Sequence, residues 1–357
     1  MTLTGDGAVL SSGRLIASGG PLTVDAVNLA HAGELVGQTD LSLRLRGALN
    51  SAAGSVLLAK QGALRLGATG WTHAGQAGAG GRVAAVIGGA VETAEASLIL
   101  AEGGDLELTA GTLTLGGQAG AAGAIAVTLT GDGTVLSSGR LIASGGSLTV
   151  EAAHLGHAGE LVGQTDLNLR LSGALNSAAG SVLLAEKGAL ALEAARWTHA
   201  GQAGAGGHIT AVVGGAVETA GTSLILAEGG GLTLTAGSLT HGGQAGAAGN
   251  VAVTLSGDGA VLSGARLIAS SGSLTLESTN LAHAGELAGP QGVSLRLRGA
   301  LDSAAGSIIL AEGGNLLLGA SRWTHAGQAG AGGRVTADIG GAIGTATGSL
   351  ILAEGET

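Results

Sequence analysis

The eleven residues WTHAGQAGAGG at Trp71–Gly81 return letter for letter at Trp197–Gly207 and at Trp323–Gly333, so the chain is written in copies 126 residues apart. A repeat of this kind does not close around one central core. Each unit buries its apolar face against the next copy, and the array grows by stacking. A finer period of 21 runs inside each copy. Stepping by 21 from Met1, the column reads Leu22, Leu43, Leu64, Ala85 and Leu106, and it stays apolar to Ala337. A second column two residues later, from Leu3 through Val24, Leu45 and Leu66 to Ile339, has no polar member either. The residue between the columns is mostly polar, as at Thr23, Arg44 and Arg65. That alternation marks a strand with one buried face.

A strand that returns at fixed spacing after a glycine-rich excursion stacks on its own next copy through parallel backbone hydrogen bonds. The expected fold is all-β: a single right-handed parallel β-helix, or β-solenoid, of about 17 rungs on that period of 21. Residues 1–357 should form one continuous solenoid, with full copies at 22–147 and 148–273 and partial copies at 1–21 and 274–357. The rungs alternate between two kinds, one like Leu64–Ala84 with HAGQAGAGG and one like Ala85–Asp105 with GGAVETA and SLILAEGG. At ~4.8 Å per rung the stack should span ~80 Å.

Composition supports this reading. The chain is 45% hydrophobic but 1% aromatic, with no Phe or Tyr and three Trp, so its interior must be built from thin aliphatic layers. It has no Cys, which excludes a disulfide framework and cysteine-rich zinc patterns. A formal net charge of -10 argues against nucleic acid as a partner. No apolar run exceeds Val83–Ile87, far short of a membrane-spanning helix, and a transmembrane barrel would need aromatic girdles. Repeat sequence begins at once after Met1, with no signal-peptide pattern, so the chain is expected to be a segment of something longer.

Histidine recurs at every second period, at His31, His73, His157, His199, His241, His283 and His325, with Leu115 the exception. Neighbours two rungs apart would lie ~9.6 Å from each other. An ion needs its ligand atoms ~2.1 Å away, so corner histidines that hydrogen-bond locally are expected, with no metal site. The three Trp align with Leu29 and Leu113 and should point inward. The glycine strings lack the strand and helix context of a phosphate loop, and no nucleophile-elbow GxSxG is present. No catalytic, cofactor-binding or metal-ligating residue is assigned, and no cofactor or enzymatic activity is expected. The uniform step of 21 places Asp25 beside Arg46 and Glu277 beside Arg298, whereas Glu151 meets Ser172 and should lack an ion pair.

Segments such as LTLTAGSLTHGGQAGAAGNVAV (Leu232–Val253) and LRLSGALNSAAGSVLLAEKGAL (Leu169–Leu190) resemble the filamentous-haemagglutinin repeats of bacterial two-partner-secreted adhesins and contact-dependent inhibition proteins. The corner Asn of that pattern stands at Asn50 and Asn176, with Asp302 in the third copy and His in many units. The resemblance implies a secreted, cell-surface, non-catalytic stalk. Its parent protein would meet a host-cell or bacterial surface receptor or a glycan. Neither Met1 nor Thr357 differs from the interior repeats, so fraying or end-to-end self-association is also expected. Two alternatives stay open: a β-helical polysaccharide-active enzyme, which would need clustered ionisable groups in a cleft, and a glycan- or matrix-binding face.

Overall fold

The computed structural model describes residues 3–355. Met1 and Thr357, on which the end-fraying expectation rests, lie outside the described residues. The chain falls into two compact units, one running to Ser172 and including 180–186, the other comprising 173–179 and the chain from Lys187 onward. The fold is all-β with no helix among the described residues, a parallel β-solenoid of about 17 turns.

Most turns are made of three short strands; in the second unit the first two run together as Ile209–Thr219 and as Leu232–His241. In the first unit one turn runs Leu22–Ala26, Leu29–His31 and Glu34–Gly37, and the chain re-enters the next at Leu41. The first two strands of successive turns stack into one sheet and the third strands into another. Alternation sets the faces: Leu22, Val24 and Ala26 are buried while Thr23 and Asp25 look out, as a period of two requires.

The register corrects the uniform step. In the first unit Leu22 pairs with Leu41, Leu41 with Leu64, Leu64 with Val83 and Val83 with Leu106, so short turns like Leu22 to Leu41 alternate with long ones like Leu41 to Leu64. The second unit does the same, with Leu190 on Ile209, Ile209 on Leu232 and Leu232 on Val251. A short and a long turn together restore two periods, since Leu22 to Leu64 is twice 21. Much of the difference lies in the corner between the second and third strands. A long turn carries a β-turn there: Ser55 N–H donates to the Ala52 carbonyl (3.1 Å) and Gly54 takes φ 78°. That positive φ at the third residue is the type II geometry that glycine accepts without a Cβ clash. A short turn makes the same corner with Ala74-Gly75 alone, and a Cβ on Gly75 would collide with the Ser55 carbonyl oxygen and hydroxyl of the turn before.

Ion pairs follow the true register. Asp25 stands beside Arg44, not Arg46, and Glu277 beside Arg296, not Arg298. Glu151 faces Arg170 and pairs with it at 3.2 Å, where the uniform step placed Ser172 and no bridge. Glu277 and Arg296 meet at 3.0 Å. Asp25, one methylene shorter than Glu, makes no ion pair with Arg44 among the described residues.

The interior explains the repeated WTHAGQAGAGG. Trp71 points inward and is 2% exposed; Trp197 and Trp323 are 1% exposed. The third strand of the same turn faces the core with Ala77 and Ala79, both buried, so small residues make room for the indole. The turns on either side carry Leu57 and Ile99 at the place of Ala77, while the turns with Leu113 and Leu239 instead of Trp keep Ala119 and Ala245 and border the small enclosed gaps. Between a Trp turn and its neighbours, core density is kept by trading volume across the turn.

Candidate functional site

The chemistry-bearing residues that recur are the histidines, and the structure puts them inside. Each closes the inward face of a second strand, as in Leu29–His31 and Gly70–His73, rather than sitting in a corner. His73, His199 and His325 are fully buried. In the first unit the column reads Val9, His31, Ser51, His73, Thr93, Leu115 and Val135 from one turn to the next. In the second it reads Ser177, His199, Thr219, His241, Val261, His283, Ser303 and His325.

A buried imidazole needs a partner, and the following turn supplies one. Nε2 of His31 donates to the Val56 carbonyl (3.1 Å), that of His73 to Leu98 (3.1 Å) and that of His157 to Val182 (3.0 Å). In the second unit His199, His241 and His325 reach the carbonyls of Leu224 (3.2 Å), Arg266 (2.9 Å) and Leu350 (3.1 Å). A carbonyl only accepts, so the proton resides on Nε2 and Nδ1 is left as an acceptor. The Thr219 hydroxyl takes it up at His241, 2.8 Å away. Each of these histidines thus ties the second strand of one turn to the third strand of the next across the core.

Burial favours the neutral ring at five of the buried histidines. It pushes His73 and His283 down to about 4 and lowers His31, His199 and His241 in the same direction, against the carbonyl bonds, which raise them. Each Trp ring lies beside the histidine two residues on, with centroids 4.9 Å apart at Trp71 and His73. With Nε2 committed to a carbonyl, the ring is a strut, and no group of three His, Cys, Asp or Glu able to hold an ion occurs among the described residues.

The carboxylates and amides at the corners serve the backbone. Asp40 accepts from the N–H of Ala63 (2.8 Å) and Asp105 from that of Ala124 (2.7 Å). Asn28 and Asn280 accept from Ala48 and Ala300, both at 2.8 Å, while their own amides donate to Asp6 and Asp258. These bonds clip one turn's corner to the next. The enclosed gaps in the two cores measure about 10 and 20 Å³ and are lined mostly by aliphatic side chains, too small for anything beyond a water.

Two open hollows on the outer face of the first strands carry charge. One, of about 430 Å³, is lined by Asp25, Arg44, Arg46 and Gly67; its counterpart in the second unit, about 260 Å³, by Glu277, Arg296, Arg298 and Gly319. Glycine creates each hollow by leaving an outward position empty. In the middle copy the sequence places Ser172 and Glu193 where Arg46 and Gly67 stand. Sequence reading passed over these arginine pairs because the uniform step put Arg46, not Arg44, next to the acid.

No protein-family model, no curated protein and no solved structure matches this chain.

Proposed function

We propose that the chain is a load-bearing spacer, a non-catalytic segment of a secreted bacterial surface filament that holds other modules away from the cell. The observation that carries this reading is the use made of polar groups. Six of the seven buried imidazoles bond a neighbouring turn's carbonyl, His283 being the exception, and corner carboxylates and amides bond a neighbouring turn's N–H. Groups spent in this way resist shear between turns and are not free to bind substrate. The bacterial and surface assignment rests on the resemblance of the repeats. The test is incubation with acidic and neutral polysaccharides, together with pulling the chain between its termini. Expected are no release of reducing or unsaturated ends and unfolding in discrete events at high force. Product release would replace the spacer with an enzyme.

A glycan-binding face is the second reading, favoured by the two arginine hollows. Their guanidinium forks suit the carboxylates or sulfates of an acidic polysaccharide. Binding to such chains that is lost in Arg44→Ala/Arg46→Ala and Arg296→Ala/Arg298→Ala would support it. Binding that survives all four substitutions would remove it.

A further inference from the structure

The outward face of the third-strand sheet is unlike the other surfaces. Outward positions on the first strands are largely Thr, Ser, Asn, Arg, Asp and Glu, as a solvated face should be. On the third strands most of them are aliphatic, with Gln, Arg or Glu at the first position of many strands. In the first unit Val56, Leu58, Leu98, Leu100, Ile142 and Leu184 all point away from the core and remain half-buried. The intervening turns place Gly78 and Gly120 in the same row, and the neighbouring leucines lean over them: a Cβ there would stand 3.5 Å from Leu58 Cδ1 and 3.3 Å from Leu100 Cδ1. The result is a largely aliphatic band, interrupted by Gln76 and Gln118 and by paired charges at the strand starts. The second unit repeats it with Leu224, Leu226, Ile268, Ile308 and Leu310.

We propose that this band is an interface between two copies of the chain, packed side by side, sheet face on sheet face. Three observations select that occupant. The first is area. Nine third strands of the first unit, each four residues long, form the band. At ~4.8 Å between strands and ~3.3 Å per residue that is roughly 550 Å² on each copy, or roughly 1,100 Å² for a pair, which reaches the size of a specific interface.

The second observation is charge. The chain carries a net -10, yet the ionised groups within the band come as neutral pairs: Arg14 with Glu34 (2.7 Å), Arg140 with Glu160 (3.1 Å) and Arg266 with Glu286 (2.7 Å). A face that is neutral and carries both signs at matching places opposes its own copy without repulsion. One edge of the band leans acidic just past the strand ends, with Glu102 and Glu186 against the single Lys60 in the first unit and Glu228 and Glu312 in the second. A two-fold axis along the stacking direction keeps the two acidic rows apart, each over the partner's opposite edge where the charges are paired, so the two copies run parallel.

The third is chemistry that disfavours lipid. A membrane-seated face draws on Trp, Tyr and clustered Lys or Arg. Here there is no Tyr, and all three Trp are in the core. Flat aliphatic sheet faces instead pack on one another at ~10 Å, with side chains of the two sheets interleaved.

Sedimentation equilibrium over the widest accessible concentration range tests the proposal on the full chain. The wild type should approach twice the monomer mass. Leu100→Lys/Leu226→Lys should stay monomeric, and the gentler Leu100→Thr/Leu226→Thr, which keeps β-forming residues on the strand, should weaken association by about tenfold or more. Val86→Lys/Val212→Lys adds the same charge at sites that are 62% and 48% exposed on the other sheet, and should behave as wild type. Far-UV circular dichroism verifies the fold of each variant. A wild type that remains monomeric overturns the proposal, as does equal dissociation by the Val86/Val212 pair or by neither pair. Adsorption to phosphatidylcholine vesicles in place of self-association would assign the band to lipid and overturn it too.

Discussion

Acid should unfold this protein from the inside, and His73 is the place to measure it. Its pKa falls from 6.5 in the unfolded chain to about 4 in the folded one, chiefly because burial penalises the imidazolium. Between those values the unfolded state binds the proton and the folded state does not. Stability is therefore full above pH 6.5 and drains as pH falls toward 4. At about 1.4 kcal/mol per pH unit the loss comes to about 3 kcal/mol from this one residue. His283 contributes a similar loss in the second unit, and the lowered His31, His199 and His241 act with the same sign. The discriminating variant is His73→Leu, since Leu115 already occupies the same inward column and shows that leucine fits there. It removes the Leu98 carbonyl bond, which lowers stability at every pH, but it also removes the titration. Urea midpoints followed by far-UV circular dichroism at pH 7.5 and pH 4 should show the variant losing about 3 kcal/mol less on acidification than the wild type. An acid loss that is the same in both would mean that His73 is protonated in the fold, and the strut described above would be wrong.

Trp71→Ala should cost about 3–5 kcal/mol, because Ala77 and Ala79 leave nothing nearby to refill the space, and the urea midpoint of the first unit reports it. Gly54→Ala should cost about 1–2 kcal/mol for holding an alanine at a left-handed φ of 78°. Gly75→Ala should cost more, since its Cβ meets backbone that cannot swing aside, and calorimetry should rank the two in that order. Glu151→Gln and Glu277→Gln remove ion pairs whose acids are 45% and 42% exposed, and should change stability by less than about 1 kcal/mol in a thermal melt.

The period, the all-β stacking and the inward placement of Trp71, Trp197 and Trp323 could be read from the chain alone, because they depend on what each residue repeats against. Which residue stands above which could not. Short and long turns miss the uniform period by two in opposite senses, and a slip of two along a strand carries every inward residue onto another inward position. Leu43 therefore fits the column headed by Leu22 although its true neighbour on the earlier turn is Val24. Only the backbone pairing separates the two, and with it go the ion pairs: Glu151 finds Arg170 rather than Ser172. The histidines show the same divide. Their spacing was plain, but burying an imidazole costs least where a carbonyl of the following turn comes within reach of Nε2, as that of Val56 does for His31. The aliphatic band needed the tertiary structure as well. Runs such as Val56–Ala59 and Leu98–Ala101 look like uniformly buried strands in one dimension, and only the placement of a single sheet layer with solvent behind it turns Leu58 and Leu100 outward.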